Sequence, residues 1–434
     1  MSPFEARKLT PQGRRPLYGW LGAEGISLIG TRVSMIALPF FVLTTTGSPE
    51  KTGLVAVAEM LPLVLLKVLG GPIIDRVGAR RVALRCDWAS LVVVGAIPLL
   101  YDAGHLSFPG FLALVAVAGA LRGPGDAAKY SMTPALATTA NVSLERVTGL
   151  SSTVERTASM LGAAIAGGLV AAIGPANALL VDAASFGVAA LLLAWAVPAD
   201  HRKASPESEG EDDADPSSYF EQLREGWRFL RGDRVLVGIT VMVSLTNLLD
   251  IAWSAVLVPV WGVEHGGGAA AVGALFATFS GASAIGSLVA AAYAERLPRY
   301  ATYLVCFLLT GLPRFLLMGL DTPLWSILGY AVVAGFAAGF LNPILGAVIY
   351  ERVPQHLMGR VSSLSTACCF ALMPLGGLVG GFLVGGVGLG AAMLVCGAAY
   401  FVVTMLPAID PRWRELDQRP VASDELSGAS ASRP

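Results

Sequence analysis

Glu24, Arg32, Glu59, Lys67, Glu155, Arg156, Asp182, Asp250 and Arg314 each interrupt a run that is otherwise apolar. In hydrocarbon each such charge costs about 2.5–3.5 kcal/mol on insertion scales, so each asks for a reason. The chemistry open to them is proton exchange. Burial favours a neutral carboxyl and a neighbouring arginine favours the carboxylate; their balance decides whether a glutamate changes protonation near neutral pH. Spacing groups these residues. Glu24, Ser27, Thr31 and Met35 share one helix face, with Arg32 on its flank. Thr148, Ser152, Glu155, Ser159, Gly162 and Ala166 form a second stripe, as a cavity wall or a close helix contact requires. Ser244, Asn247, Asp250 and Ser254 form a third. We expect Glu24, Arg32, Glu59, Glu155, Arg156 and Asp250 to line a partly hydrated, proton-coupling cavity. Thr31, Met35, Ser152, Ser159 and Asn247 are expected on its substrate-facing wall. The competing reading is a static Arg32–Glu59 ion pair that fixes helix positions; Asp182 and Lys67 are open to the same reading.

The elements that must hold these groups are membrane helices. The chain has 434 residues, 54% hydrophobic and only 14% charged, with a mean hydropathy of +0.65. Soluble domains carry about 25% charged residues. Backbone polar groups in lipid need internal partners, so long apolar runs must be helices. Twelve spans follow, near 17–45, 51–72, 82–101, 106–130, 144–173, 175–197, 234–262, 269–294, 300–319, 323–350, 358–387 and 389–409. One set of connecting loops holds Arg76, Arg80, Arg81, Arg85, Arg146, Arg224, Arg228, Arg231, Arg296, Arg299, Arg352 and Arg360, while the opposite set holds Lys51 and little else. By the positive-inside rule both termini are cytoplasmic. The first span follows Arg7, Lys8, Arg14 and Arg15 and is too long for the core of a cleaved signal peptide.

The pattern argues against other classes. Cys86, Cys306, Cys368, Cys369 and Cys396 show no metal spacing, and small buried thiols are their plain reading. His105, His201, His265 and His356 lie in loops. No nucleophile–base pair and no nucleotide-binding loop stand out, so neither an enzyme nor an ATP-driven machine is expected, and no cofactor or nucleic acid. The expected partners are a small molecule, protons and the lipid bilayer, met by a monomer.

The sequence also repeats. Arg146 to Val188, shifted by 214 positions, lies without a gap on Arg360 to Val402, with about fifteen identities in roughly forty positions. Gly162 meets Gly376, Gly167 meets Gly381, and Gly174 meets Gly388. Each copy reads as two helices joined at a glycine turn. Doubled sets of membrane helices recur in secondary transporters, whose sites lie near mid-depth between the repeats. The expected division is a tail (1–16), a six-helix bundle (17–197), a linker (198–233), a second bundle (234–410) and a tail (411–434). The linker carries Glu207, Glu209, Glu211, Asp212, Asp213 and Asp215 among Ser, Pro and Gly, which cannot bury apolar surface. Phe220, Leu223, Trp227 and Leu230 follow at helical spacing, for a helix either on the membrane surface or packed on the bundle. The second tail reads as polar and mobile.

Between the second and third spans runs Gly71-Pro72-Ile73-Ile74-Asp75-Arg76-Val77-Gly78-Ala79-Arg80-Arg81. It resembles the G-x-x-x-D-R-x-G-R-R loop of the major facilitator superfamily, with Ala79 at one basic position. Asp182-Ala183-Ala184-Ser185-Phe186, Glu225-Gly226-Trp227-Arg228-Phe229-Leu230 and Gly359-Arg360-Val361 are similar to the bacterial branch of macrolide efflux proteins, the enterobactin exporter and Tap-type multidrug pumps. The resemblance implies an all-α fold of twelve spans in two related six-helix bundles, in a bacterial cytoplasmic membrane. It implies an inner gate of Gly71, Asp75, Arg76, Gly78, Arg80 and Arg81, with Asp75 near the start of the eleventh span. Asp126 and Lys129 look like gate or interface partners, and Arg360 belongs to the same inner ring. Two departures stand out. The Gly-Pro that such exporters often carry in the fifth span is replaced by Ala163-Ala164-Ile165-Ala166-Gly167-Gly168, and the acid expected after Gly30 is Thr31. Arg122 does not fall where the family's fourth-span arginine usually does. The function implied is proton-driven export of hydrophobic or amphipathic small molecules such as antibiotics. An importer of the same fold, or a transporter-like sensor, stays open.

Overall fold

The computed structural model describes residues 11–198, 216–265, 267–293, 296–354 and 357–417. No strand occurs among them. The acidic run 207–215, Glu295, His201 and His356 lie outside the described residues.

The first half contains α1 (Pro11–Thr46), α2 (Pro49–Leu69), α3 (Gly71–Val77), α4 (Ala79–Asp102), α5 (Phe108–Ser131), α6 (Thr133–Ala140), α7 (Leu144–Ile173) and α8 (Pro175–Ala196). After α9 (Pro216–Gly232), the second half contains α10 (Arg234–Ala252), α11 (Val258–Glu264), α12 (Gly268–Tyr293), α13 (Arg299–Thr310), α14 (Leu312–Gly319), α15 (Leu324–Arg352), α16 (Met358–Ala371), α17 (Met373–Val387) and α18 (Leu389–Met405). Among the described residues eleven stretches are long and apolar enough to cross a membrane, and α2 with α3 makes a twelfth, bent by 60°. The expected twelve spans are therefore present. Several are broken: α5 runs on into α6, α13 into α14 and α16 into α17, and a proline sits in the first turn of α6, α14 and α17. Proline lacks the N–H that would bond back to the preceding turn, so the span bends there. A π-helical turn, Trp253–Leu257, joins α10 to α11.

The repeat is visible in the backbone. Gly174 ends α7 at φ +82, ψ 161 and Gly388 ends α17 at φ +80, ψ 165. Their N–H groups close on Val170 and Val384, which match in the repeat. The same residue type, in a left-handed conformation that glycine adopts without steric cost, makes both turns.

Glycines also set where the halves meet. A Cβ on Gly273 of α12 would lie 2.6 Å from Cα of Gly167 on α7. A Cβ on Gly381 of α17 would lie 2.7 Å from the Pro49 carbonyl at the start of α2, and one on Gly53 would lie 2.2 Å from the Gly377 carbonyl. Gly167 and Gly381 are equivalents in the repeat, so one duplicated glycine builds both seams between the halves. Backbones this close need small residues. Both seams lie toward the Lys51 end, away from the arginine-rich loops.

Two expectations change, and of the two placements open to α9 one is found. The stretch 71–81 is not a loop: Gly71–Val77 is helical, Gly78 at φ +94 turns the chain, and α4 starts at Ala79. The helix α9 packs on the bundle, with Leu230 buried beside Leu236, Val353, Leu357 and Val361. The segment Pro411–Asp417 is docked rather than free. Trp413 and Leu416 are buried, and Asp417 accepts a 3.0 Å hydrogen bond from the Tyr300 N–H. Arg352 ties that segment down, bonding Glu415 at 2.9 Å and Asp233 at 3.0 Å. Burial works against its charge, but the two carboxylates outweigh burial and raise its pKa.

Candidate functional site

The first half holds its charges in three places. The first is a cleft of about 470 Å³ lined by Glu24, Ser27, Lys67, Asp126, Tyr130 and Glu155. The α1 face puts Glu24 and Ser27 one turn apart, and the α7 stripe brings Glu155 to the opposite wall. Ser151 donates to both Glu24 oxygens at 3.1 Å. No cation lies within ion-pair distance of Glu24 among the described residues, although the charges of Glu155, Lys129 and Asp126 act on it. Such a carboxyl, with one hydroxyl donor and access to a polar cleft, can take up and release a proton without first breaking a salt bridge.

Behind the cleft, Lys129 is buried between α5, α4 and α1. It donates to Asp87 at 2.8 Å and to Ser27 at 3.1 Å, while its carbonyl accepts from the Trp20 indole at 3.0 Å. The second oxygen of Asp87 is buried without a partner among the described residues. Asp87 is absent from the sequence-based set although it lies inside the third expected span, 82–101, two places after Arg85. The rule that flagged Glu24, a charge inside an apolar run, would have found it.

The third place is deeper. Arg122 of α5 bonds Glu59 of α2 at 2.7 Å. The Arg32–Glu59 pair of the competing reading does not form: Arg32 instead donates to Ser159 at 2.8 Å and toward the Met35 sulfur at 3.5 Å. The correction has a simple geometric source. Arg32 leans toward α7, where Gly162 packs against its side-chain stem, and α2 packs on α5, which brings Arg122 to Glu59. Arg122 and Glu59 border a small internal space with Ser34 and Asp182. Asp182 is 1% exposed, accepts from the Ser34 hydroxyl, and stands against Gly30, where a Cβ would meet its oxygen. The carboxylate missing after Gly30 is thus supplied beside Gly30 by α8.

The remaining predicted residues scatter. Arg156 points across to α12 and donates to Ser287 at 2.9 Å, so it bridges the halves instead of lining the Glu24 cleft. Thr31 is buried and Ser152 is exposed. Asn247 donates to the Cys369 carbonyl at 3.0 Å, tying α10 to α16. Asp250 pairs with Arg314, whose guanidinium lies 4.7–4.8 Å from the rings of Trp253, Phe315 and Tyr400. The six residues expected around one cavity are therefore split: Glu24 and Glu155 in the cleft, Glu59 in its pair with Arg122, Arg32 on Ser159 and Met35, Arg156 at the α7–α12 seam and Asp250 in this aromatic cluster.

At the arginine-rich end, Arg80 donates to the carbonyls of Val197 and Ala194 at 2.6 and 3.0 Å, which pins α4 to the end of α8. Asp75 and Arg76 are exposed and make no ion pair among the described residues. Gly71 has open space at its Cβ position, and Arg81 is exposed. Arg360 of α16 bonds Glu225 of α9 at 3.0 Å. No group of acidic, His and Cys side chains that could hold a metal occurs among the described residues.

The family model described as Major Facilitator Superfamily matches residues 21–251 and 240–425. The chain is 32% identical over 422 residues to the multidrug efflux pump Tap of Mycobacterium tuberculosis, covering 96% of this chain and 99% of the relative. It is 28% identical to the multidrug efflux pump Tap of Mycolicibacterium fortuitum, over 94% of this chain and 99% of that one. Among solved structures it resembles the nucleoside transporter NupG, with a TM-score of 0.69 at 13% identity, covering 92% of this chain and 98% of that one. It also resembles a bacterial homolog of the lysosomal transporter Spinster in an inward-facing, unoccupied conformation, with a TM-score of 0.64 at 13% identity, covering 95% of this chain and 100% of that one. These structural likenesses establish the fold.

Proposed function

The chain belongs to the major facilitator superfamily, and from that premise we propose that it is a proton-coupled exporter of hydrophobic or amphipathic small molecules, antibiotics among them. It works as a monomer in a bacterial cytoplasmic membrane, with both termini and the arginine-rich loops inside. The rocking units are residues 17–197 and 234–410, hinged along the two glycine seams.

The observation that carries the proton step is Glu24. It lies inside the first span, is bonded among the described residues by Ser151 alone, and borders a polar cleft with Asp126 and Glu155. Binding a proton removes a buried charge, so the protonated and ionised forms favour different packings of the halves. Each charge that crosses a 100 mV potential supplies about 2.3 kcal/mol, enough to drive export. The glycine seams lie at the Lys51 end, and α7 stays against α12 as far in as Arg156 and Ser287; the seams support a cleft open to the cytoplasm, ready to load substrate. The gate residues Asp75 and Arg76 make no ion pair among the described residues in that arrangement. The export direction is supported by the Tap pumps, whose similarity runs through nearly the whole chain.

The test is a susceptibility panel of antibiotics and dyes in a pump-deficient bacterial host, with and without a proton uncoupler. Expression should lower accumulation of at least one compound, and the uncoupler should abolish that protection. Increased accumulation on expression would establish import instead. Ligand binding in detergent with no flux in proteoliposomes under a pH gradient would establish a sensor.

A further inference from the structure

Lys129 and Asp87 lie beside the cleft but are not needed to explain how a proton reaches Glu24. They are among the least exposed charges in the described residues, at 4% and 3%. Burying an ion pair costs several kcal/mol per ion before attraction repays it, so a purely structural pair should be fully satisfied. This one is not. Among the described residues Asp87 keeps one oxygen without a partner. The Lys129 ammonium has three donors and, among the described residues, uses two, on Asp87 and Ser27. Ser27 is one helical turn from Glu24 on the same face of α1, and Lys129, Ser27 and Glu24 border the same cleft.

We propose that Lys129 is a positioning residue for proton exchange at Glu24, its ammonium held by Asp87 and Ser27 while Glu24 is protonated and extended to the Glu24 carboxylate once the proton has left. The inference rests on the proton role of Glu24 proposed above. The Glu24 O–H bond breaks, its proton goes to water in the cleft, and the third N–H of Lys129 then bonds the new carboxylate. Asp87 keeps the ammonium from drifting to Glu24 permanently, which would hold that carboxylate ionised. The charged groups facing this exchange are Lys67 on α2, Asp87 on α4, Asp126 on α5 and Glu155 on α7, and the Cys86 thiol adjoins Asp87. The acids oppose ionisation of Glu24, and Lys129 is the cation placed to offset them.

The test needs no transported compound. Purified protein in liposomes is titrated by infrared difference spectroscopy, and Glu24→Gln identifies the Glu24 carboxyl band. Lys129→Gln with Asp87→Asn removes the pair as a neutral unit, so packing is kept and no lone buried charge remains. The double variant is expected to raise the midpoint of the Glu24 band by about one pH unit, because a nearby cation favours the carboxylate by at least that much. Lys129→Arg, which keeps the charge, should stay nearer the wild type. A double variant that titrates at the wild-type midpoint overturns the role of Lys129 and leaves Glu24 as the proton carrier. If Glu24→Gln removes no titrating band at all, the proton role of Glu24 itself falls.

Discussion

The two halves share a backbone plan and differ in what they bury. At matched places in the repeat, Ser151 of the first half bonds the Glu24 carboxyl, whereas Ser365 of the second bonds the neutral Thr240 at 3.0 Å. Glu155 corresponds to Cys369 and Asp182 to Cys396. The first half carries the Glu24 cleft, the Lys129–Asp87 pair, the Glu59–Arg122 pair and Asp182. The second half, among the described residues, has one intramembrane ion pair, Arg314–Asp250, with the guanidinium walled by Trp253, Phe315 and Tyr400. Duplication gave both halves the same hinges and turns. Divergence concentrated ionisable groups in one half and left the other mainly apolar. Under the proposed function this difference is a division of labour: proton chemistry in the first half, and a greasy, adaptable wall in the second.

The largest expected effect tests the buried charges. Lys129→Met strands Asp87, which is 3% exposed, and should cost ~3–5 kcal/mol of stability. Thermal unfolding followed by fluorescence-detected size exclusion would show the loss. The next test concerns what the halves have in common. Gly273→Leu and Gly381→Leu each overfill a glycine seam, at a cost of about 1–3 kcal/mol to the closed arrangement. Because the seams are built alike, both should reduce flux by roughly tenfold or more while the protein stays folded. A large loss from one and none from the other would break the symmetry of the hinges.

Arg314→Met is the counterpart of Lys129→Met and should cost less, ~1–2 kcal/mol, because the Asp250 side chain it leaves behind is 41% exposed and can be hydrated. An equal or larger loss would mean that the aromatic wall is organised by this charge. The smallest effect separates the halves most finely. Ser151→Ala and Ser365→Ala each remove one hydrogen bond, about 0.5–1.5 kcal/mol, yet only Ser151→Ala should move the pH dependence of transport.

The fold was legible because its signals are long and periodic. Apolar runs gave the spans, the arginine distribution gave a common side, and the Arg146–Val188 repeat announced the matching turns at Gly174 and Gly388. The breaks inside spans were less legible, because proline marks a bend without giving its angle. The site was legible as a set of residues but not as a set of partners. Charge inside an apolar run singled out Glu24, Glu59 and Arg314 correctly as intramembrane groups. Which cation meets which acid depends on which helices touch, and the sequence does not specify that. Arg122 therefore took the place that the competing reading gave to Arg32, and Asp87 went unseen beside Arg85. The docked segment Pro411–Asp417 was hidden by its polar composition, although Trp413 is an anchor that a polar tail has no need of.

The central claim is that Glu24 exchanges the proton that drives transport. The most direct test reconstitutes Glu24→Gln in liposomes with a dye or antibiotic identified by the susceptibility panel, and compares pH-gradient-driven uptake with exchange of labelled for unlabelled compound at equal pH. The account predicts that gradient-driven uptake is lost while exchange continues, because the halves still rock but no longer respond to protons. Gradient-driven uptake at the wild-type rate would contradict it.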